Sequence, residues 1–309
     1  MDLQRLVVDE SVSTLFPPGV LLDELNDTPI ETTVFDESVD SLSPDQGVVT
    51  FDYREAFLDS GWVHCVLAGV DQFPFERFQD ESTPLTNSTG IHGDAIGETV
   101  AGYVLAFARR LHQHIGNQQR RDWSQPDWDE AWTVDGETAC VIGLGSLGRG
   151  IADRLTGLGL DVVGVRRTPT PEPSVEEVYT PDDLLEAVSE ARFVVLAVPL
   201  TDRTRGMVDG ETFAAMDDDA YVINVGRGGV VDQAALVTTL EDDLIAGAAL
   251  DVFETEPLPD ASPLWGMDDV IVSPHCGAFT RDYCNHVAAL VDENVSRIRD
   301  GDDLVNRVV

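Results

Sequence analysis

The chain has 309 residues, enough for two ordinary domains, each with its own core. It carries 57 Asp and Glu against 19 basic residues, all of them Arg, for a net charge of −38, which excludes nucleic acid and anionic membrane surfaces as partners. The hydrophobic share, 43%, excludes a disordered acidic polymer, and no apolar run is long enough to cross a bilayer. The acids are dispersed (217–219, 241–243, 268–269, 302–303) rather than gathered in a tail, as in a folded protein working in concentrated salt. At ~1 M salt the Debye length falls to about 3 Å and such self-repulsion is screened. The four cysteines form no C-x-x-C pair and read as small buried hydrophobes in a reducing cytosol. No metal site is expected, because His112 and His114 are two apart and face different ways on a helix.

Residues 1–8 read as a first strand rather than a leader, so a cytoplasmic protein is expected. Apolar runs at 6–8, 32–35, 48–51 and 63–67, separated by turn signals, predict a small α/β unit. Ile96, Val100, Val104, Phe107, Leu111 and Ile115 follow at helical spacing and predict one long helix over 93–115. A loop is expected over 117–136. Strands over 139–142, 162–165, 193–198, 221–225, 246–250 and 270–273 alternate with helical segments at 182–189, 212–216 and 232–240, the rhythm of a doubly wound sheet. A final helix over 282–299 is expected to return to the first domain. The fold class is thus α/β with two domains: 1–86 plus 282–309, and 87–281.

The most informative stretch is 138–168. An apolar strand enters Gly143-x-Gly145-x-x-Gly148, a helical segment carrying Ser146 and Leu147 follows, and a second strand ends in Arg166, Arg167 and Thr168. Glycines here permit a tight turn and let a pyrophosphate approach the backbone at a helix N-terminus. Roughly 20 residues on, a carboxylate would accept from a ribose 2′-hydroxyl. This chain has two Arg at that point, which suit a 2′-phosphate, so NADP(H) is the expected cofactor. The loop 168–173, with three prolines, is placed to cover the adenosine end.

Three further motifs follow strands, at the ends where the crevice of an open α/β sheet lies. They carry Arg227 between two glycines, Glu256 in D-V-F-E-T-E-P-L, and His275 after Pro274. Arg can bind a carboxylate and polarise a neighbouring carbonyl, His can pass a proton, and a carboxylate can hold the His protonated. Glu256 is expected to be buried. Singly each residue has a plain structural alternative; together, after three successive strands, they read as a catalytic set. Phe51, Tyr53, Leu67, Trp265, Phe279 and Tyr283 are either pocket walls or core aromatics.

In V-I-N-V-G-R-G-G-V-V-D, A-L-D-V-F-E-T-E-P-L and S-P-L-W-G-M-D-D-V-I-V-S-P-H the chain resembles the D-isomer-specific 2-hydroxyacid dehydrogenases. The resemblance implies a Rossmann-type dinucleotide-binding domain and a smaller flavodoxin-like substrate domain. It implies reversible hydride transfer from NADPH to a 2-oxo acid, giving the D-2-hydroxy acid, in a homodimer formed through the long helix. By it, Arg227 binds substrate, His275 is the general acid/base and Glu256 its partner. The amides of Ala68, Gly69 and Val70 would take the substrate carboxylate. Val198, Pro199, Thr204, Val225, Gly226 and Gly277 would line the cofactor, and Asp251 would hold the nicotinamide carboxamide. Gly97-Glu98-Thr99 and Ser146-Leu147 depart from the family's usual Ala-Glu-His and Arg-Ile. Glu256, where formate dehydrogenases carry Gln, argues against that relative. The lysine-free, acid-rich composition resembles that of extreme halophiles. A nucleotide-sensing interaction protein of the same fold is the alternative, since corepressors of this architecture keep the same three residues.

Overall fold

A computed structural model describes residues 3–35 and 41–309. The chain divides into two compact units, Met1–Ile91 with Phe279–Val309, and His92–Ala278.

The first unit holds five strands, β1 (Arg5–Val8), β2 (Glu31–Val34), β3 (Gln46–Thr50), β4 (Trp62–Cys65) and β5 (Leu85–Asn87), all parallel in the order β2-β1-β3-β4-β5. That is the flavodoxin-like order. Burial on both faces explains why β3 and β4 read as continuous apolar runs. β5 was not expected: Leu-Thr-Asn holds a single apolar residue, so no apolar run marks it. Helices α1 (Pro18–Glu24) and α2 (Phe75–Glu81) belong to this unit, as does the C-terminal helix Tyr283–Asp300, whose Tyr283, Val287, Val291 and Val295 are buried with Leu6, Leu21 and Trp62.

The second unit opens on α3 (Gly93–Ala108), which buries Ile96, Val100, Val104 and Phe107. The helix predicted to run on to residue 115 is broken. Arg110 adopts a left-handed φ of 53°, and α4 (Leu111–Arg120) starts anew where a loop was expected from 117. Leu111 and Ile115 keep the helical spacing but are exposed, so they do not share the buried face of α3.

A seven-stranded parallel sheet follows, of β6 (Thr138–Ile142), β7 (Asp161–Val165), β8 (Glu177–Tyr179), β9 (Phe193–Leu196), β10 (Tyr221–Asn224), β11 (Gly247–Leu250) and β12 (Val270–Val272). Its order is β12-β11-β10-β9-β6-β7-β8, a Rossmann-type doubly wound arrangement whose direction reverses between β6 and β9. Helices α5 (Ser146–Gly157), α6 (Leu184–Ser189), α7 (Gly210–Ala214) and α8 (Gln233–Glu241) cross between strands. α3 packs so closely on α5 that a Cβ on Gly97 would stand 2.5 Å from the Gly150 carbonyl oxygen, which accounts for glycine at that position. Among the described residues no helix is long and apolar enough to cross a membrane.

Candidate active site

Every chemical motif of the second unit sits at a strand's C-terminal end. At β6, Gly143 takes φ 100°, and a Cβ on Gly148 would meet the Gly143 carbonyl oxygen at 1.8 Å, so the turn closes only with glycine there. Gly145 is the N-cap of α5, has no side-chain cap, and faces open space where its Cβ would be. Uncapped N–H groups of a twelve-residue helix opening on free space fit the diphosphate of a dinucleotide. Val198, after β9, lies against this turn, 2.6 Å from where a Gly143 Cβ would stand. The hydroxyl of Thr204 donates to the Pro199 carbonyl (2.6 Å) and accepts from the Thr201 N–H (2.8 Å), bracing its own turn. At the end of β7, Arg166 is partly exposed, and Arg167 and Thr168 are exposed.

After β10, Asn224 holds the arginine turn from both sides. Its Oδ1 accepts from the Gly226 N–H and its Nδ2 donates to the Arg227 carbonyl, each at 3.1 Å. Arg227 Nη1 donates to the Gly226 carbonyl at 2.8 Å. A Cβ on Gly228 would fall 1.8 Å from the Phe253 carbonyl carbon, so the turn can pass beneath the loop after β11 only as glycine. That loop carries Glu256, whose Oε1 accepts from the Phe253 N–H at 3.0 Å while its Oε2 accepts from His275 Nδ1 at 2.7 Å. Glu256 was expected buried; its side chain is 36% exposed, because it stands on the wall of an open cleft rather than within the core. The cleft is about 730 Å3 and is lined by Leu200, Arg205, Arg227, Phe253, Glu256 and His275, among others. The three expected residues thus meet in one cavity.

The turn of His275 is held from behind by Asp251 and by hydroxyl groups that pair with its loop. His275 has φ 51°, uncommon for a residue with a Cβ, and its N–H donates to the Asp251 carbonyl at 2.8 Å. The buried Asp251 carboxylate accepts from Ser273 Oγ (2.6 Å), Cys276 N–H (3.0 Å) and Gly277 N–H (2.9 Å). Since Ser273 donates to Asp251, it accepts from the Tyr103 hydroxyl at 2.6 Å, and burial pushes that phenol up to about 12, keeping it a donor. Thr99 Oγ1 donates to the Gly277 carbonyl at 2.7 Å, giving a function to the residue found in place of His. Helix α3 therefore reaches the His275 turn through two hydroxyls. Among the described residues, no earlier signal marks Ser273 or Tyr103; one lies in the recognised motif, the other on a helix read only for its apolar face.

In the first unit, Ala68 and Gly69 are half-buried, while the Val70 side chain is in the core. Of the six aromatic or aliphatic candidates, Tyr283 is core, its hydroxyl donating to the Val66 carbonyl at 2.5 Å, and Tyr53 packs on Phe73 and Phe78. Phe51 and Leu67 are half-buried beside those cores, whereas Trp265 and Phe279 are more than half exposed.

An α/β sheet with a glycine turn at its reversal point and an Arg–Glu–His cleft at its strand ends defines a dinucleotide-dependent dehydrogenase fold. The sequence pattern described as "D-isomer specific 2-hydroxyacid dehydrogenase, NAD binding domain" matches residues 101–277, and the chain belongs to that family. It is 31% identical over 305 residues to a glyoxylate reductase of Thermococcus kodakarensis, covering 95% of this chain and 87% of that one. Among solved structures it is similar to a D-isomer specific 2-hydroxyacid dehydrogenase of Xanthobacter autotrophicus in complex with NADPH and MES (28% identity, TM-score 0.81, 99% and 98% of the two chains). It is likewise similar to a family protein of Aeromonas salmonicida (27% identity, TM-score 0.86, 100% and 99%).

Proposed function

We propose that this protein is an NADPH-dependent 2-oxo acid reductase that forms the D-2-hydroxy acid reversibly, with Arg227, Glu256 and His275 as its catalytic residues. The observation that carries the reading is the 2.7 Å hydrogen bond from His275 Nδ1 to Glu256 in the cleft that Arg227 lines. It is supported by glyoxylate reductases among the relatives and by NADPH in the complex of the Xanthobacter protein.

Bound at the glycine turn, NADPH would supply hydride to the carbonyl carbon. The protein's part is the proton and the charge. With Nδ1 committed to Glu256, the imidazole is fixed in orientation, and its Nε2 carries the proton that the carbonyl oxygen takes. Glu256 compensates the positive charge while His275 is protonated, and in the oxidative direction the neutral ring accepts the proton back. Arg227 binds the acid and stabilises charge growing on the oxygen, an effect that outweighs ground-state binding. Asp251 uses three acceptor sites on donors from the loop after β12, leaving one of the roughly four on a carboxylate for the nicotinamide amide. Arg166 and Arg167 are assigned the 2′-phosphate. Ala68, Gly69 and Val70 are assigned the substrate carboxylate on the resemblance of their loop alone.

We further place the protein in a salt-rich cytoplasm, on the net charge of −38, and in a homodimer. The dimer reading is supported by exposed apolar side chains on α4 and the loop after it, Leu111, Ile115, Trp123 and Trp128, the last two more than 90% exposed. The test is steady-state reduction of a panel of 2-oxo acids, glyoxylate included, with NADPH and NADH in ~2 M KCl, where charges are screened. Faster turnover with NADPH and a D-configured product would support the reading. Preference for NADH would overturn the 2′-phosphate assignment, and no turnover with either would leave the nucleotide-sensing alternative.

A further inference from the structure

The end of β7 was expected to offer a 2′-phosphate two open guanidinium groups. Arg166 is instead engaged. Its Nη1 donates to Glu172 Oε2 at 3.1 Å, and Glu172 Oε1 lies 3.9 Å from Nε of Arg149 on α5. The Glu172 side chain is only 17% exposed, so the carboxylate is largely withdrawn from water and held between two cations. Arg167 is exposed and forms no ion pair among the described residues.

The position of Glu172 is built into the loop. Pro169, Pro171 and Pro173 restrict the backbone on either side. The loop folds back on itself through a bridge between Glu172 and Val175. It is tied to α5 by Thr156 Oγ1, which donates to the Ser174 carbonyl at 3.1 Å, and by the Ser174 hydroxyl, which donates to Asp153. The carboxylate is thus delivered to Arg166 by structure at both ends of a short, stiff segment.

A carboxylate and a phosphate ask the same thing of a guanidinium: charge-assisted N–H donors. The donor that holds Glu172 is unavailable to a second anion, and two anions on one Arg repel. We infer that Glu172 is a specificity-determining residue, an internal anion that occupies Arg166 and that a 2′-phosphate must displace. It therefore weakens NADP(H) selectively and narrows the margin over NAD(H), whose 2′-hydroxyl displaces no charge. This inference rests on the NADP(H) reading given above.

Calorimetric titration of the whole protein with NADP+, NAD+, 2′,5′-ADP and 5′-ADP at one fixed high salt concentration tests it. Glu172→Gln is expected to bind NADP+ and 2′,5′-ADP about tenfold more tightly, with NAD+ and 5′-ADP changed by less than about threefold. Glu172→Ala is expected to shift both pairs in the same way, which guards against one variant folding poorly. Arg166→Gln separates the inference from the reading beneath it. If Arg166→Gln leaves NADP+ affinity unchanged, the 2′-phosphate site itself is misassigned. If Arg166→Gln weakens NADP+ while both Glu172 variants leave or weaken it, Glu172 braces Arg166 rather than competing for it, and the inference is overturned.

Discussion

Glu256 and Glu172 each set a carboxylate on a nitrogen donor at the ends of strands in the same sheet, one against His275 after β12, the other against Arg166 after β7. The Glu256 pair lies on the wall of an open cleft and uses Nδ1, so that in the proposed reaction pairing would orient the ring and leave Nε2 for the substrate. The Glu172 pair is mostly sequestered and uses a donor that the proposed ligand itself needs. On the proposed reading, one pair prepares a group for its task and the other must be undone first. What would decide between these outcomes is which atom of its partner the carboxylate occupies, more than the strength of the pair.

The comparison is sharpened by removing its members in turn. Arg227→Gln is expected to have the largest effect among the cleft's supporting residues, a loss of about 10²- to 10³-fold in kcat/KM for 2-oxo acid reduction. Arg227→Lys, which keeps the charge but not the planar fork, is expected to recover only part of it. Steady-state kinetics on the two variants check this, and equal rates in both and in the parent would remove Arg227 from the mechanism. Glu256→Gln keeps a hydrogen-bond acceptor beside Nδ1 while deleting the charge. A fall in kcat of about tenfold, with NADP+ affinity unaltered in a direct binding assay, is the expected result. A change in nucleotide affinity instead would erase the contrast with Glu172.

The smallest effect is away from both pairs. His64 on β4 is fully buried, its Nδ1 and Nε2 bonded to Thr86 and Ser88 hydroxyls at 2.9 and 3.1 Å, and burial pushes the imidazole down to about 3. Its folded-state value lies below the unfolded value near 6.5, so between those limits the unfolded chain binds the extra proton. Stability is full above about pH 6.5 and falls as the pH drops toward 3, by up to about 1.4 kcal/mol per pH unit from this residue. Chemical denaturation at pH 7 and 5 in constant salt should show that loss, and a His64→Gln variant that still folds should show less of it. Identical pH dependence in the two would assign acid sensitivity elsewhere.

Much of this architecture could be read from the chain before its structure. Short apolar runs, the glycine turn and the three strand-end motifs carry local signals, and the fold follows from their alternation. The break at Arg110 carried no such signal: Leu111 and Ile115 continue the apolar spacing, and only a left-handed backbone at an ordinary arginine takes them off the buried face. β5 and β8, Leu-Thr-Asn and Glu-Val-Tyr, lack the apolar run that marks the equally short β12 and are defined by their neighbours in the sheet. At the site, spacing placed Arg227, Glu256 and His275 at strand ends but could not disclose the Tyr103–Ser273–Asp251 chain behind them, which joins residues 170 and 22 positions apart. Glu172 was hidden for a different reason. In a chain with 57 acids one more in a proline-rich loop is unremarkable until the loop is seen to fold back onto Arg166.

The most direct measurement compares NADPH oxidation by glyoxylate in the parent and in His275→Ala, with NADP+ affinity determined on the same preparations. The account predicts turnover by the parent, a loss of about 10²- to 10⁴-fold in kcat in the variant, and NADP+ binding that stays within about twofold. Equal turnover in parent and variant would contradict the proton role of His275, and a parent that binds NADP+ yet reduces no 2-oxo acid would contradict the reductase reading altogether.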